Sequence, residues 1–236
     1  MRVLALDTAL GATSVAVYDS ETSRVLAEGS EAMARGHAEA LLPMVDRVLK
    51  ETGLGFSQID RYASTIGPGS FTGIRIGIAA ARAFALAHRK PVVGVSTLAA
   101  FAAPVLFGGE KRAVAAAVDA RHGMVFYQLT SAEGSVMAGP GLFSLADAAR
   151  GIGSAPVICA GDAAEMLARA VKEQNPDWRI TPDTVRAGAA PVISWVARLA
   201  SVADPLVSAC KPLYLREANV TMQDSHRLQR VATAGA

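Results

Sequence analysis

The sequence predicts a two-lobed α/β protein in which each lobe is a mixed sheet, a three-strand meander extended by parallel strands and flanked by helices. Three observations predict it. The apolar spacing switches between the strand period and the helix period in the order strand, strand, strand, helix, strand, helix, strand, helix. The same order then runs a second time, beginning after Gly108-Gly109. The chain of 236 residues is 51% hydrophobic and 19% charged, which fills a large core and lies outside the range of disordered chains.

In the first pass, Val3–Asp7 reads as a buried strand ending in an aspartate. A turn at Thr8-Ala9-Leu10-Gly11-Ala12 leads to β-prone Thr13–Tyr18, and Arg24–Glu28 makes the third strand. Ala38, Leu41, Leu42, Val45, Val48 and Leu49 then recur at helical spacing, and Gly53 and Gly55 stop the helix. Tyr62–Ile66 is a strand, residues 71–88 a helix, Pro91–Val95 a strand, and Ser96 or Thr97 caps a helix through Val105.

In the second pass, strands fit Ala113–Val118, Met124–Thr130 and Ser135–Ala138. Helix Leu145–Arg150, capped by Ser144, strand Pro156–Ala160, helix Ala163–Glu173, strand Arg179–Thr181 and helix Ala189–Val202 come after them. The division falls in the glycine pair: residues 1–107 form the first lobe and residues 108–236 the second, with a polar tail after Tyr214.

Charge and cysteine content exclude several function classes. Net charge is +2, and basic and acidic side chains are spread evenly along the chain, so no basic stripe offers a nucleic-acid surface of its own. Cys159 and Cys210 sit in apolar surroundings and read as reduced core residues. No apolar run is long enough to span a bilayer, and the start of the chain carries no signal-peptide pattern; a cytoplasmic protein is expected.

The doubled element order is similar to that of actin, sugar kinases and heat-shock ATPases, the ASKHA fold. Proteins of that fold hold ATP between the lobes on two acidic, glycine-rich turns. Here the first turn runs from Asp7 and Thr8 to Ser14, and the second is Asp119-Ala120-Arg121-His122-Gly123. Both keep the aspartate, but Ala9 replaces a useful glycine, and Arg121 and His122 put bulk where a phosphate would sit. The run Gly67-Pro68-Gly69-Ser70 lies between a strand and a helix and lacks the Lys-Ser/Thr of a Walker loop. It suits an anion at a helix N-terminus, or a tight turn with no ligand. Asp7, Thr8, Gly67, Pro68, Gly69, Ser70 and Asp119 are therefore the candidate nucleotide-facing residues.

The helix after that loop carries Gly73, Gly77 and Ala81 four residues apart, with Ala80 beside them. Each helical glycine costs about 1 kcal/mol relative to alanine, so close packing must offset it. The neighbouring helix of the same lobe, or a helix of another subunit, can supply that packing. No metal site can be assembled: His37, His88, His122 and His226 do not pair at helical spacing, and there is no Cys-x-x-Cys. Ser70 has no neighbour that identifies a base.

The segments LALDTALGATSVAV (4–17), RGHAEALLPMVDRVL (35–49), IGPGSFTGIRIGIAAARAFA (66–85), VVGVSTLAAFA (92–102), VDARHGMVF (118–126) and KPLYLREANVT (211–221) together resemble the TsaB family, also called YeaZ. The resemblance implies a subunit of the bacterial machinery that adds a threonylcarbamoyl group to the adenosine beside the tRNA anticodon. Such proteins are non-catalytic paralogues of the transferase TsaD, whose His-x-x-x-His metal motif is replaced here by Ser96-Thr97-Leu98-Ala99-Ala100. It further implies that the two helices at 37–51 and 71–88 pair with a TsaD-like chain through His37, Leu41, Val45, Gly73, Gly77, Ala80, Ala81 and Phe84. A TsaE-like ATPase is expected to join, with ATP or ADP at the junction, no cofactor in the isolated chain, tRNA reached only through the complex, and a homodimer when the partner is missing. Two other readings stand beside it: a glycoprotease-like peptidase, for which no nucleophile or metal is visible, and a small actin-like ATPase resting on Asp7 and Asp119.

Overall fold

The computed structural model describes residues 1–110, 112–152 and 156–215. In the first pass come β1 (Arg2–Asp7), β2 (Ala12–Asp19), β3 (Arg24–Ala32), α1 (His37–Thr52), β4 (Arg61–Thr65), α2 (Phe71–His88), β5 (Val92–Val95) and α3 (Thr97–Phe107). The second pass gives β6 (Ala113–Asp119), β7 (Met124–Thr130), β8 (Val136–Ser144), α4 (Leu145–Ile152), β9 (Val157–Gly161), α5 (Ala164–Gln174), β10 (Val185–Ala187) and α6 (Ile193–Val202). The chain thus contains the α/β duplication expected of an actin-like fold.

The first sheet has the order β3-β2-β1-β4-β5 and the second β10-β9-β6-β7-β8, the same topology twice. In both, the meander is antiparallel and the later strands are parallel additions. The first strand of each pass is central and buried on both faces, which is why RVLALD and AVAAAVD read as nearly unbroken apolar runs. The register sets Asp7 beside Ser14 on β2, and Leu6 beside Ser64 on β4.

The layers run α1 and α2, first sheet, α3 and α6, second sheet, α4 and α5. Leu4, Leu6, Val15 and Tyr62 pack under α1 and α2 through Leu41, Val45, Val48, Ile74 and Ile78. Val125, Tyr127, Val157 and Cys159 pack under α4 and α5 through Ala148, Ile152, Leu167 and Val171. The middle layer is exchanged. Helix α3 comes after the first sheet but lays Leu98, Phe101, Ala102 and Val105 on Val114, Ala116, Val118 and Ile158 of the second. Helix α6 returns Ile193, Val196, Ala197 and Ala200 to Val3, Ala5, Ala16 and Ala63 of the first. The packing of α6 therefore does not respect the division drawn at residue 108 from sequence. Arg61, at the start of β4, anchors α6 by donating from one nitrogen to the carbonyls of Ala200 and Ala203, each at 2.7 Å. There the guanidinium also meets the negative end of the helix dipole.

Several boundaries move. The strand expected at 179–181 forms instead at Val185–Ala187. Trp178 is drawn into the core, and Thr181 and Thr184 close a local turn, Thr181 N–H donating to Thr184 Oγ1 at 2.9 Å. Helix α6 starts at Ile193 rather than Ala189, because Pro191 disfavours helical backbone before it and the Ala189 carbonyl is occupied by the Gly11 N–H at 3.0 Å. The expected Pro-x-Tyr-x-Arg segment is described only as far as Leu215; Arg216 to the end lies outside the described residues. No helix among the described residues is long and apolar enough to cross a membrane.

Candidate functional site

The turn after β1 is closed by the chain itself. Asp7 and Thr8 are fully buried. Asp7 Oδ1 accepts from the Ala9 N–H at 3.0 Å and from Thr65 Oγ1 at 2.5 Å, while Oδ2 has no hydrogen-bond partner. Burial without a counter-charge pushes the Asp7 carboxyl up to about 6, against the opposing pull of the Thr65 and Ala9 hydrogen bonds.

The glycine-rich loop lies directly on this turn. Ser70 N–H donates to the Ala9 carbonyl at 2.7 Å, and Thr8 Oγ1 donates to the Gly73 carbonyl at 2.7 Å. Gly67 sits at φ 106° and is followed by a cis peptide to Pro68. Ser70 caps α2, its hydroxyl accepting from the Gly73 N–H at 3.3 Å. A β-carbon on Gly69 would fall 2.3 Å from the Ala9 carbonyl oxygen, and one on Gly73 2.0 Å from that of Thr8. Of the two readings of the loop, the geometry is that of a tight turn whose glycines let two backbones touch.

The small-residue ridge packs in the same way within the chain. A β-carbon on Gly77 would meet Ser64 Oγ at 2.7 Å and Thr8 Oγ1 at 2.8 Å, and Ala81 is fully buried. Gly73, Gly77 and Ala81 face β1 and β4 of their own lobe, and close packing there offsets their helical cost. Leu41 and Val45 are likewise inside the first core, because an amphipathic helix turns its most apolar stripe to its own sheet. Ala80 and Phe84 are half-buried at the edge of the core, the Phe84 ring lying tilted against Phe56 and Tyr62 with centroids 4.9 and 5.9 Å away. His37 starts α1 with Nδ1 2.9 Å from Thr13 Oγ1.

What α1 and α2 present outward is a different set. Leu42 is 57% exposed, Phe71 60% and Leu86 83%. Arg75 lies 3.4 Å above the Phe71 ring and donates to Tyr214 Oη at 2.8 Å, so residues 211–215 bring an aromatic ring to the start of α2. The backbone bond from Leu213 N–H to the Ile66 carbonyl, 2.8 Å, holds that segment there. Sequence reasoning misses these residues because it tracks the apolar phase of each helix; the opposite phase, 71, 75, 79, 82 and 86, is the available signal. Nothing in the sequence places Tyr214 beside it.

The turn after β6 is open. Asp119 Oδ1 accepts from the Arg121 N–H at 2.8 Å, and Oδ2 lies 3.1 Å from the Arg121 guanidinium. Arg121, His122 and Gly123 are exposed and left-handed, with φ of 67°, 55° and 73°. Asp162, at the end of β9, accepts the Asp119 N–H at 2.9 Å, and burial raises its carboxyl above the usual range. At the corner where the transferase motif would stand, Thr97 is buried and its N–H donates to the Gly67 carbonyl at 2.9 Å. No three His, Cys, Asp or Glu side chains gather into a metal site among the described residues. Two clefts of about 350 and 360 Å³ open on the second lobe, one beside Arg169 and Pro182, the other beside Arg112 and Trp178. Neither is lined by the aspartate turns or by α1 and α2.

Known proteins share stretches of this sequence and its fold. The family model described as TsaD, tRNA N6-adenosine threonylcarbamoyltransferase, matches residues 29–176. The tRNA threonylcarbamoyladenosine biosynthesis protein TsaB of Escherichia coli is 41% identical over 127 residues, 54% of this chain and 54% of that protein. The match thus spans about half the length of such curated relatives. An uncharacterised Mycobacterium bovis protein is 32% identical over 214 residues, 91% of each chain. The solved structure of YeaZ from Pseudomonas aeruginosa superimposes with a TM-score of 0.73 at 29% identity, covering 91% of this chain and 99% of that one. The duplicated topology, the loop sealed on its own turn and these matches place the chain in the TsaD family, in its TsaB (YeaZ) branch.

Proposed function

We propose that this chain is a non-catalytic subunit of the machinery that adds threonylcarbamoyl to the adenosine beside the tRNA anticodon, and that it acts by pairing with a TsaD-like paralogue. The observation that carries the reading is the sealed first turn. The loop that would cradle a phosphate spends the Ser70 N–H on the Ala9 carbonyl, Thr8 Oγ1 donates to the Gly73 carbonyl, and the Asp7 carboxylate is fully buried. The frame of a nucleotide-binding fold is kept while the groups that would meet substrate are turned into packing. The outer face of α1 and α2, with Leu42, Phe71, Arg75, Leu86 and the added Tyr214, supports association: exposed Phe, Tyr and Arg beside apolar surface are the residue types that anchor interfaces.

A TsaE-like ATPase joins this pair, ATP or ADP sits at their junction rather than in the isolated chain, tRNA is reached through the complex, and the chain self-associates when the paralogue is absent. The test is reconstitution. Purified chain is mixed with the TsaD-like protein of the same organism, complex formation is followed by light scattering, and threonylcarbamoyl transfer to tRNA is measured. A stoichiometric complex and transfer that depends on adding this chain are expected. Transfer at full rate without it would overturn the reading. Cleavage of a defined protein, or ATP turnover lost on Asp7→Asn, by the chain alone would put the peptidase or ATPase in its place.

A further inference from the structure

The cleft beside Arg112 and Trp178 belongs to the second lobe, at the amino-terminal ends of β6 and β9. Arg112 and Pro156 immediately precede Ala113 and Val157, which pair across these two strands, and both line the cleft. The rest of the lining comes from the segment that leaves α5 and from Thr184. Its backbone is held in place by the chain itself. The Trp178 N–H donates to the Asn175 carbonyl at 3.0 Å, and Lys172 Nζ donates to the Trp178 carbonyl at 3.1 Å. Thr184 Oγ1 donates to the Arg179 carbonyl at 2.8 Å, and the Thr184 carbonyl accepts the Cys159 N–H of β9 at 2.9 Å. Trp178 and Val157 are buried and give the lining its apolar part.

The charges here are unspent. Arg112 donates from one nitrogen to the Asp183 carbonyl at 2.7 Å. Neither Arg112 nor Arg179 pairs with a carboxylate among the described residues, whereas Arg121, Arg150, Arg169 and Arg186 each do. Asp177 is the acid of the lining, and it is in no ion pair among the described residues either. Two guanidiniums against one carboxylate leave the cleft net positive. Guanidinium forks match phosphoryl oxygens, and a carboxylate accepts from a hydroxyl. The volume, about 360 Å³, is in the range of small-molecule sites.

We propose that this cleft binds a small phosphomonoester with a hydroxylated body. Its phosphoryl oxygens accept from Arg112 and Arg179, one of its hydroxyls donates to Asp177, and its carbon skeleton lies against Trp178 and Val157. Because the cleft is lined neither by the Asp7 turn nor by α1 and α2, the inference stands apart from the function proposed above.

The test is calorimetric titration of the full chain at low salt with ribose 5-phosphate, inorganic phosphate and ribose. Ribose 5-phosphate should bind, inorganic phosphate should bind more weakly, and ribose should give no heat of binding. Arg179 is exposed, so Arg179→Gln should keep the wild-type melting temperature while weakening ribose 5-phosphate at least about tenfold. Asp177→Asn should weaken ribose 5-phosphate but bind inorganic phosphate at least as well as the wild type, because it removes a hydroxyl acceptor and a like charge together. Absence of ribose 5-phosphate binding at millimolar concentration, binding of ribose alone, or unchanged affinity in Arg179→Gln would each overturn the inference. Inorganic phosphate that binds as tightly as the ester would overturn it too, since the body of the ligand would then make no contact.

Discussion

Asp7 and Asp119 end topologically equivalent strands, β1 and β6, yet the first carboxylate is fully buried and the second belongs to an open turn with an exposed arginine. The turns themselves are similar in length, so the difference comes from the connection after the fourth strand of each pass. In the first lobe residues 66–70 form a long connection to α2, and Gly69 and Gly73 let it settle onto Ala9 and Thr8. In the second lobe β9 is joined to α5 by residues 162–163 alone. Gly161 touches the Ala117 carbonyl instead, and the turn beyond it is left uncovered. Equivalent turns in a duplicated fold are therefore closed or open according to a remote loop, not according to their own residues.

The contrast is broken most strongly by Gly73→Leu. Its β-carbon would overlap the Thr8 carbonyl, a backbone atom that cannot step aside, so a loss of about 3 kcal/mol or more is expected in denaturant unfolding. Gly151→Ala, in α4 at a position where an added β-carbon meets nothing within 4 Å, should instead raise stability by up to about 1 kcal/mol and serves as the control of opposite sign.

Asp7 gives a pH signature. Its folded carboxyl titrates at about 6 against 3.8 for the free group, so the folded state holds this proton more tightly. The stability it contributes is complete below about pH 4 and is lost as the pH rises to about 6, a fall of about 3 kcal/mol from this group. Asp7→Asn removes that slope, and unfolding free energies measured from pH 4 to 7 should become flatter by that amount. An unchanged slope would mean that Asp7 stays hydrated in solution. The matched Asp119→Asn variant removes an ion pair whose arginine is 82% exposed, and a change below about 1 kcal/mol is expected.

The smallest effect is expected in the open turn. His122 is exposed and holds a left-handed backbone at φ 55°, so His122→Gly should leave the fold intact and raise stability by up to about 1 kcal/mol. A thermal melt that drops by several degrees instead would show that the imidazole carries a contact of its own.

Much of the fold was legible. The meander in each pass comes from short β-prone runs broken by turn residues, and the helices at 37–52 and 71–88 come from apolar spacing and glycine or serine at their ends. The site was legible only in part. Gly69, Gly73 and Gly77 announced a close approach, and the approach is real, but the partner is Ala9, Thr8 and Ser64 of the same lobe. Leu41, Val45 and Ala81 could not be assigned to core or interface from spacing, because both environments ask for the same small or apolar stripe. The exposed set on the other phase of α2 reads from sequence as ordinary solvated surface until Tyr214 is seen beside it.

What the sequence by itself determined is the order and type of the elements, the duplication and the need for tight backbone contact after β4, because period, turn chemistry and glycine placement act over a few residues. Only the tertiary structure decided that α3 and α6 trade sheets, that the glycine-rich loop seals the Asp7 turn, and that residues 211–215 deliver Tyr214 to Arg75. Those outcomes depend on which faces find each other far along the chain, 65 residues apart for Thr8 and Gly73 and 139 for Arg75 and Tyr214, and one stripe of alanines and valines carries no mark of the sheet it will cover.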